Sequence, residues 1–323
     1  MKRCLVMIAC CFFMVMSSFS AAHAASYPQR PIQFLIGWAV GGGSDQAGRA
    51  LAMGAESHLG RPLAVQNIPA GAGAQAYAQI ANARPDGYTI GLTTSTISTL
   101  KPMGTIPYGS EEFEHIITFN TDPGGIWVNV DAPWKTLGEL IEHAKKNPDQ
   151  VSVAASTPGS ITRFQLIALE QNSDVTFRII SQQGGAANGL LQLAGGHLDV
   201  AMGTPLEGYA LYQAGRIRPL GFYSDTRVPM MSDIPTLLEQ GFPIAMATTR
   251  TVIAPKNTPK EIIDILYDAF SKVVSDEKFI ADMESKGSTV LNLNPEETKE
   301  YLKLQDAAFL EIIKNAGLYK PAS

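Results

Sequence analysis

Apolar residues recur along this chain at two spacings. Short β-branched runs alternate with longer stretches in which small and apolar residues return every three or four positions. The run 31–36 predicts a buried strand and 45–59 the helix after it. Strand 63–67, helix 75–84 and strand 88–92 follow, an order that predicts a mainly parallel sheet with helices on both faces. Two runs, 115–119 and 126–130, read as strands separated by a turn at Asp122-Pro123-Gly124-Gly125. Thr136 and Glu139 have capping-box spacing and open a helix that ends near Asn147-Pro148. Strands 151–155, 177–180, 197–202 and 218–223 then alternate with helices 161–171, 186–193, 206–213 and 235–240. Strand 245–253 returns, and helices 259–274, 276–286 and 295–316 complete the pattern. Proline recurs in the first turn of these last helices, where its missing N–H is no loss.

The loop between the first strand and the first helix is Gly41-Gly42-Gly43-Ser44-Asp45. Glycines let a backbone approach a ligand, and a helix N-terminus presents unpaired N–H groups and a partial positive charge. Ser44 stands where it can cap the helix. The stretch reads as an anion site suited to a carboxylate or a phosphate. A tight strand–helix turn that holds nothing is the competing reading. It is not a dinucleotide fingerprint, since Gln46 occupies the third glycine position, and no G-x-x-x-x-G-K-[ST] occurs. Two further loops of this kind precede helices in the second half, Ser156-Thr157-Pro158-Gly159-Ser160 and Ser181-Gln182-Gln183-Gly184-Gly185.

Lys2 and Arg3, an apolar run over 4–19 and the small-residue signal Ala22-His23-Ala24 make residues 1–25 a secretory leader. A membrane anchor is the weaker alternative, because the apolar run is short. Cys4, Cys10 and Cys11 all fall within the leader, so the mature chain has no disulfide or thiol chemistry. The formal charge of −5 becomes −7 once Lys2 and Arg3 leave, which argues against nucleic acid as a partner. His58, His115, His143 and His197 show no metal spacing, and no G-x-S-x-G elbow or nucleophile–base motif occurs. Neither a metal nor a cofactor is expected, and no enzymatic chemistry is indicated.

An ordered set of short stretches resembles the periplasmic substrate-binding receptors of tripartite tricarboxylate transporters, the Bug family. The set comprises Tyr27-Pro28 to Pro31-Ile32, the Gly41–Asp45 loop, residues 67–73, and Pro85-Asp86-Gly87-Tyr88-Thr89. It continues with Lys135-Thr136-Leu137 to Asn147-Pro148, Gln183-Gly184-Gly185, and Ala214-Gly215-Arg216-Ile217-Arg218. Asp233-Ile234-Pro235-Thr236 and Ala254-Pro255 with Thr258-Pro259-Lys260-Glu261 complete it. The set covers nearly the whole mature chain. The resemblance implies an α/β, two-lobed periplasmic-binding-protein (Venus-flytrap) fold with two crossings. Residues 26–124 plus 245–323 would form one lobe and 125–244 the other, each a mainly parallel sheet flanked by helices. It further implies a monomer in the periplasm that holds a small organic carboxylate, a dicarboxylate or an aromatic carboxylate, in its cleft. Integral membrane transporter subunits would be its partners. The alternatives are a ligand-sensing subunit docking on a membrane receptor and an exported α/β enzyme with a phosphate-binding glycine loop.

Carried onto this sequence, the family's binding loops imply a site of Trp38, Val40, Gly42, Gly43, Ser44 and Asp45 in the first lobe. Backbone N–H groups of Gly42, Gly43 and Ser44, with the Ser44 hydroxyl, would hold one carboxylate. Ser156, Thr157, Gly159 and Ser160 would face them, with Gly184, Gly185, Ala186 and Thr204 completing the wall. The sequence departs from the family near the expected cleft. Ala39-Val40 replaces Pro-Pro, Arg163 replaces a histidine, Gln183 a lysine, Gly203 an aspartate, and Thr249-Arg250-Thr251 a Trp-x-Gly. Arg163, in the first turn of a pocket helix, is expected to grip a second anionic group of the ligand. The opposing expectation is that it faces solvent and pairs with Glu170 or Asp174.

Overall fold

A computed structural model describes residues 27–183 and 185–320. The leader with its three cysteines, and Gly184, lie outside the described residues. The first units are β1 (Ile32–Ile36), α1 (Gly43–Leu59), β2 (Leu63–Asn67), α2 (Ala74–Ala81), β3 (Thr89–Thr94) and the single turn α3 (Ile97–Leu100). β2 and β3 pair in parallel with β1 on either side of it. β1 lies between them, and all its residues but Gln33 are buried, which is why the run is apolar except at Gln33. α1 buries Ala47, Gly48, Leu51, Ala52, Ala55 and Leu59, the three-and-four spacing of one helical face.

The sequence predicts two strands and a turn over 115–130. The structure has one strand, β4 (Phe113–Asn129). Asp122-Pro123-Gly124-Gly125 stays extended because its neighbours hold it so. Asp122 is ion-paired with Arg250. A Cβ on Gly124 would stand 2.2 Å from the Gln165 side chain, and one on Gly125 would stand 2.7 Å from the Trp127 indole nitrogen. The two glycines admit crossing side chains rather than bend the backbone.

Beyond β4 come α4 (Leu137–Lys146), β5 (Ser152–Ser156), α5 (Ile161–Ser173), β6 (Arg178–Gln182), α6 (Ala187–Ala194), β7 (Val200–Gly203), α7 (Pro205–Gln213) and β8 (Ile217–Tyr223). The chain ends through β9 (Ala247–Pro255), α8 (Lys260–Val274), α9 (Glu277–Glu284), β10 (Thr289–Leu293) and α10 (Pro295–Asn315). Residues 235–240 are a turn and not the predicted helix. Thr236 bridges Phe222, its N–H donates to Glu239 Oε2 at 2.8 Å, and its Oγ1 accepts the Glu239 N–H at 3.1 Å. These reciprocal bonds close the segment on itself.

β4 belongs to two sheets. As far as Pro123 it pairs antiparallel with β9, and β10 lies on its other edge. From Gly124 onward it pairs antiparallel with β7 and β8. The strand order is β2-β1-β3-β9-β4-β7-β5-β6, with β10 and β8 attached to β4. Helices cover both sheets, an α/β architecture, and each sheet is mixed rather than mainly parallel, since β4 runs antiparallel to all its neighbours and β9 to β3. One apolar core gathers Phe34, Leu51, Tyr77, Leu92 and Phe270 under the first sheet. Separate cores flank the second sheet, one around Ile126, Val153, Leu166 and Tyr223 and one around Trp127, Leu190 and Phe222. A small fourth cluster joins α5 to α10 through Ile161, Phe164, Phe309 and Ile313.

Candidate functional site

The glycine loop is held by its own residues. Gly41 has φ +81°, a left-handed conformation that glycine adopts freely. Its N–H donates to Asp45 Oδ2 at 2.9 Å, while Asp45 Oδ1 accepts from Arg49 Nε at 2.7 Å and Asn67 Nδ2 at 2.8 Å. Asn67 Nδ2 also donates to the Trp38 carbonyl at 2.9 Å. Asp45 therefore fixes the loop, and Arg49 serves it. Gly42, not Ser44, is the N-cap of α1, and Gly43 is the first helical residue. Ser44 lies inside the first turn because its hydroxyl is engaged elsewhere: it accepts a hydrogen bond from Arg250 Nε at 3.2 Å. Nor are the loop N–H groups all open. Gly42 N–H donates to the Ala39 carbonyl at 3.2 Å, and Gly43 N–H donates to Glu207 Oε1 at 3.3 Å.

The Ser156–Ser160 loop is likewise built from its own hydrogen bonds. Ser160 is the N-cap of α5, its Oγ accepting the Arg163 N–H at 3.4 Å. Gly159 has φ +90°, and its carbonyl accepts the Thr99 hydroxyl at 2.5 Å. That bond ties the loop to α3, on the first-sheet side.

Between these loops lies a cavity of about 40 Å³. Trp38, Ser44, Thr94, Thr248 and Arg250 line it from the first sheet. Ser156, Ser160, Ile161, Thr162, Gly185, Ala186, Thr204 and Glu207 line it from the second. The volume suffices for a few water molecules and is far below the several hundred cubic ångströms of a drug-sized site. The two sides are thus drawn close together. Of the residues named from the sequence, Trp38, Ser44, Ser156, Ser160, Gly185, Ala186 and Thr204 meet here. Gly43 abuts the cavity through Arg250 and Glu207. Val40 is 72% exposed at the loop tip. Gly42, Asp45, Thr157 and Gly159 support the loops without lining the space, and Gly184 is outside the described residues.

Arg163 does not line the cavity. Burial pushes the Glu170 carboxyl up, and the Phe177 N–H and the Arg163 charge pull it partly back. The positive charge of Arg163 therefore acts on the flank of α5.

Two residues that sequence reasoning missed dominate the site. Arg250 is 1% exposed and forms an ion pair with Asp122, which is fully buried. Its Nη2 lies against Gly43, where an added Cβ would stand only 2.7 Å away. Glu207, in the first turn of α7, accepts the Thr204 N–H at 3.0 Å and the Thr204 hydroxyl at 3.1 Å through Oε2, while Oε1 takes the Gly43 N–H. One carboxylate thus joins elements of both sheets. The signal for Arg250 was the Thr249-Arg250-Thr251 departure; nothing local pointed to Glu207. The Trp38 indole adds a further feature. Trp38 is 8% exposed, and its Nε1 is buried with no hydrogen-bond partner.

A larger cavity of about 950 Å³ lies on the first-sheet side, among His115, Lys256, Lys299 and Asp306. Five acids and four lysines share its wall, which favours no single ligand charge. Among the described residues no cluster of three or more metal-ligating side chains occurs, and no helix is long and apolar enough to cross a membrane.

Two sheets sharing a long strand, with facing loops over a small polar cavity, are the architecture of a solute-binding protein. Residues 47–318 match the family described as "Tripartite tricarboxylate transporter family receptor". The "UPF0065 protein in gbd 5'region" of Cupriavidus necator is 32% identical over 263 residues, covering 78% of this chain and 77% of that relative. The solved structure of the periplasmic binding protein BugD superposes with a TM-score of 0.86 at 29% identity, over 91% of this chain and 100% of that one. The R. palustris protein Rpa4515 with adipate shares the fold, with a TM-score of 0.85 at 24% identity over 90% of this chain and 98% of that one. The chain belongs to the tripartite tricarboxylate transporter receptor family, and it is a binding receptor rather than an enzyme.

Proposed function

We propose that this receptor captures a small organic carboxylate in the cavity between its two sheets and delivers it, in the periplasm, to an integral membrane transporter. The observation that carries the reading is the Trp38 indole N–H, buried at the cavity wall without an acceptor. Buried indole N–H groups normally find a partner, and a carboxylate oxygen supplies one. The hydroxyls of Ser44, Thr94, Ser156, Ser160 and Thr162 offer further donors around it. Adipate in a structural relative agrees with this ligand class.

The site residues act as two facing sets. Residues 26–124 plus 245–323 form one lobe and 125–244 the other, a division supported by the change of partners along β4 at Pro123–Gly124. Opening and closing about β4 and β9 admits the ligand, as in other hinged receptors.

A thermal-shift screen of the mature chain against a carboxylate panel tests the reading. A ligand at a hundredfold excess over its Kd raises stability by about 2.7 kcal/mol. Trp38→Phe removes the indole donor and leaves a smaller aromatic ring, so it weakens binding by about ten- to a hundred-and-fiftyfold. The absence of any stabilising carboxylate, or an unchanged affinity in Trp38→Phe, overturns the proposal.

A further inference from the structure

We infer that Glu207 sets the charge of the ligand: as a built-in anion at the N-terminus of α1, it restricts the cleft to molecules bearing a single negative charge. The inference rests on the carboxylate reading above and narrows it. Glu207 Oε1 holds the Gly43 N–H, the first free donor of α1, and Oε2 holds the Thr204 N–H and hydroxyl at the start of α7. This is the place the glycine loop would otherwise offer to a ligand carboxylate.

The charges in the cavity make the consequence definite. Its lining carries two ionised side chains, Arg250 and Glu207. The positive charge of Arg250 is matched by Asp122 directly behind it. Glu207 has no ion-pair partner of its own among the described residues, so Asp122, Arg250 and Glu207 together leave one net negative charge at the cavity. Gly43 makes the arrangement possible, because a Cβ there would stand 2.7 Å from Arg250 Nη2 and 3.1 Å from Glu207 Cγ.

A ligand's one carboxylate takes the Trp38 N–H and the surrounding hydroxyls. A second carboxylate directed at the N-terminus of α1 meets Glu207, which already holds the Gly43 N–H there and lines the same cavity. Like charges about 5 Å apart at an effective dielectric of about 20 repel enough to lower affinity roughly a hundredfold. Glu207 is therefore a specificity-determining residue acting by repulsion, a device that rejects the wrong partner rather than attracting the right one.

The test is calorimetric titration of the wild-type chain and Glu207→Gln with adipate and with its monomethyl ester, a pair on the same six-carbon chain that differs by one charge and the ester's methyl group. The wild type is expected to bind the monoester more tightly. Glu207→Gln should shift the affinity ratio at least tenfold toward adipate, since glutamine keeps an acceptor for Gly43 and loses the charge. Glu207→Ser repeats the test should glutamine disturb the start of α7, and thermal melting of each variant controls for its fold. An unchanged ratio in both variants overturns the inference while leaving the carboxylate reading intact. Binding of neither compound by any of the three proteins overturns this inference, and the carboxylate reading falls as well only if no member of the thermal-shift panel stabilises the wild type.

Discussion

Replacing Arg250 by methionine should destabilise the protein severely. Arg250 and Asp122 are 1% and 0% exposed, and they join β9 to β4 beside the point where β4 passes from one sheet to the other. Without the guanidinium, Asp122 keeps only the Asn120 amide, which donates to Oδ1 at 3.2 Å. Removing one partner of a buried pair costs about 3–5 kcal/mol, because the remaining charge cannot return to water. The bond from Arg250 to Ser44 adds about 0.5–1.5 kcal/mol. The expected loss in Arg250→Met is therefore about 4–6 kcal/mol, a large share of the stability of an ordinary domain. The double variant Asp122→Asn/Arg250→Met should recover most of it, since replacing both partners of such a pair is often close to neutral. Urea unfolding of wild type, both single variants and the double variant, followed by far-ultraviolet circular dichroism, completes the cycle. A loss below about 1 kcal/mol in Arg250→Met, or a double variant no more stable than the single ones, refutes the reasoning.

Gly43→Ala should cost about 1–3 kcal/mol by overpacking and abolish carboxylate binding, because the new methyl group meets Arg250 Nη2 and Glu207 Cγ; calorimetry and melting on one preparation read both effects. Phe309→Ala should loosen the contact of α10 with α5, where Phe309 and Phe164 meet edge-on at 6.0 Å. A larger radius of gyration by solution scattering is the expected result, with a melting loss below the full 3–5 kcal/mol of a core phenylalanine. Burial holds the Asp306 carboxyl above its ordinary range despite the Ser110 hydroxyl 2.5 Å from Oδ2. Its stabilising contribution is therefore present at low pH and lost as pH rises through the raised value, so Asp306→Asn should gain stability at pH 7 relative to wild type and little at pH 3. Burial pushes the His115 imidazole down, so the fold loses stability as pH falls through the ordinary histidine range, and His115→Gln should flatten the melting temperature between pH 7 and 5.

The alternating units near the start of the chain were legible because their signals are local. The edges of β2 fall on the predicted strand 63–67, and Thr136 caps α4, its Oγ1 accepting the Glu139 N–H at 3.2 Å. β4 was not legible. Asp122-Pro123-Gly124-Gly125 has the composition of a turn, and its extended form depends on Arg250, Gln165 and Trp127, two of them far along the chain. β10 was not foreseen: three of its five residues are only half-buried and two are exposed, so it lacks the apolar run that marks β1. In the site, the loops were found from their glycines and serines. What joins them was not, because the Gly43–Glu207 contact spans 164 positions and leaves no trace in spacing. The same contact explains why the helix N-terminus, read as open to a ligand, has one of its donors already taken.

The most direct measurement of the central claim follows the indole N–H signals of the three tryptophans by NMR during a carboxylate titration. Trp127 Nε1 already donates to the Gly203 carbonyl at 2.9 Å and serves as an internal reference, whereas the Trp38 N–H has no partner. A saturable downfield shift of the Trp38 indole proton, with Trp127 unmoved, is the predicted result. A Trp38 signal that stays in place while a carboxylate measurably binds the protein would contradict the account.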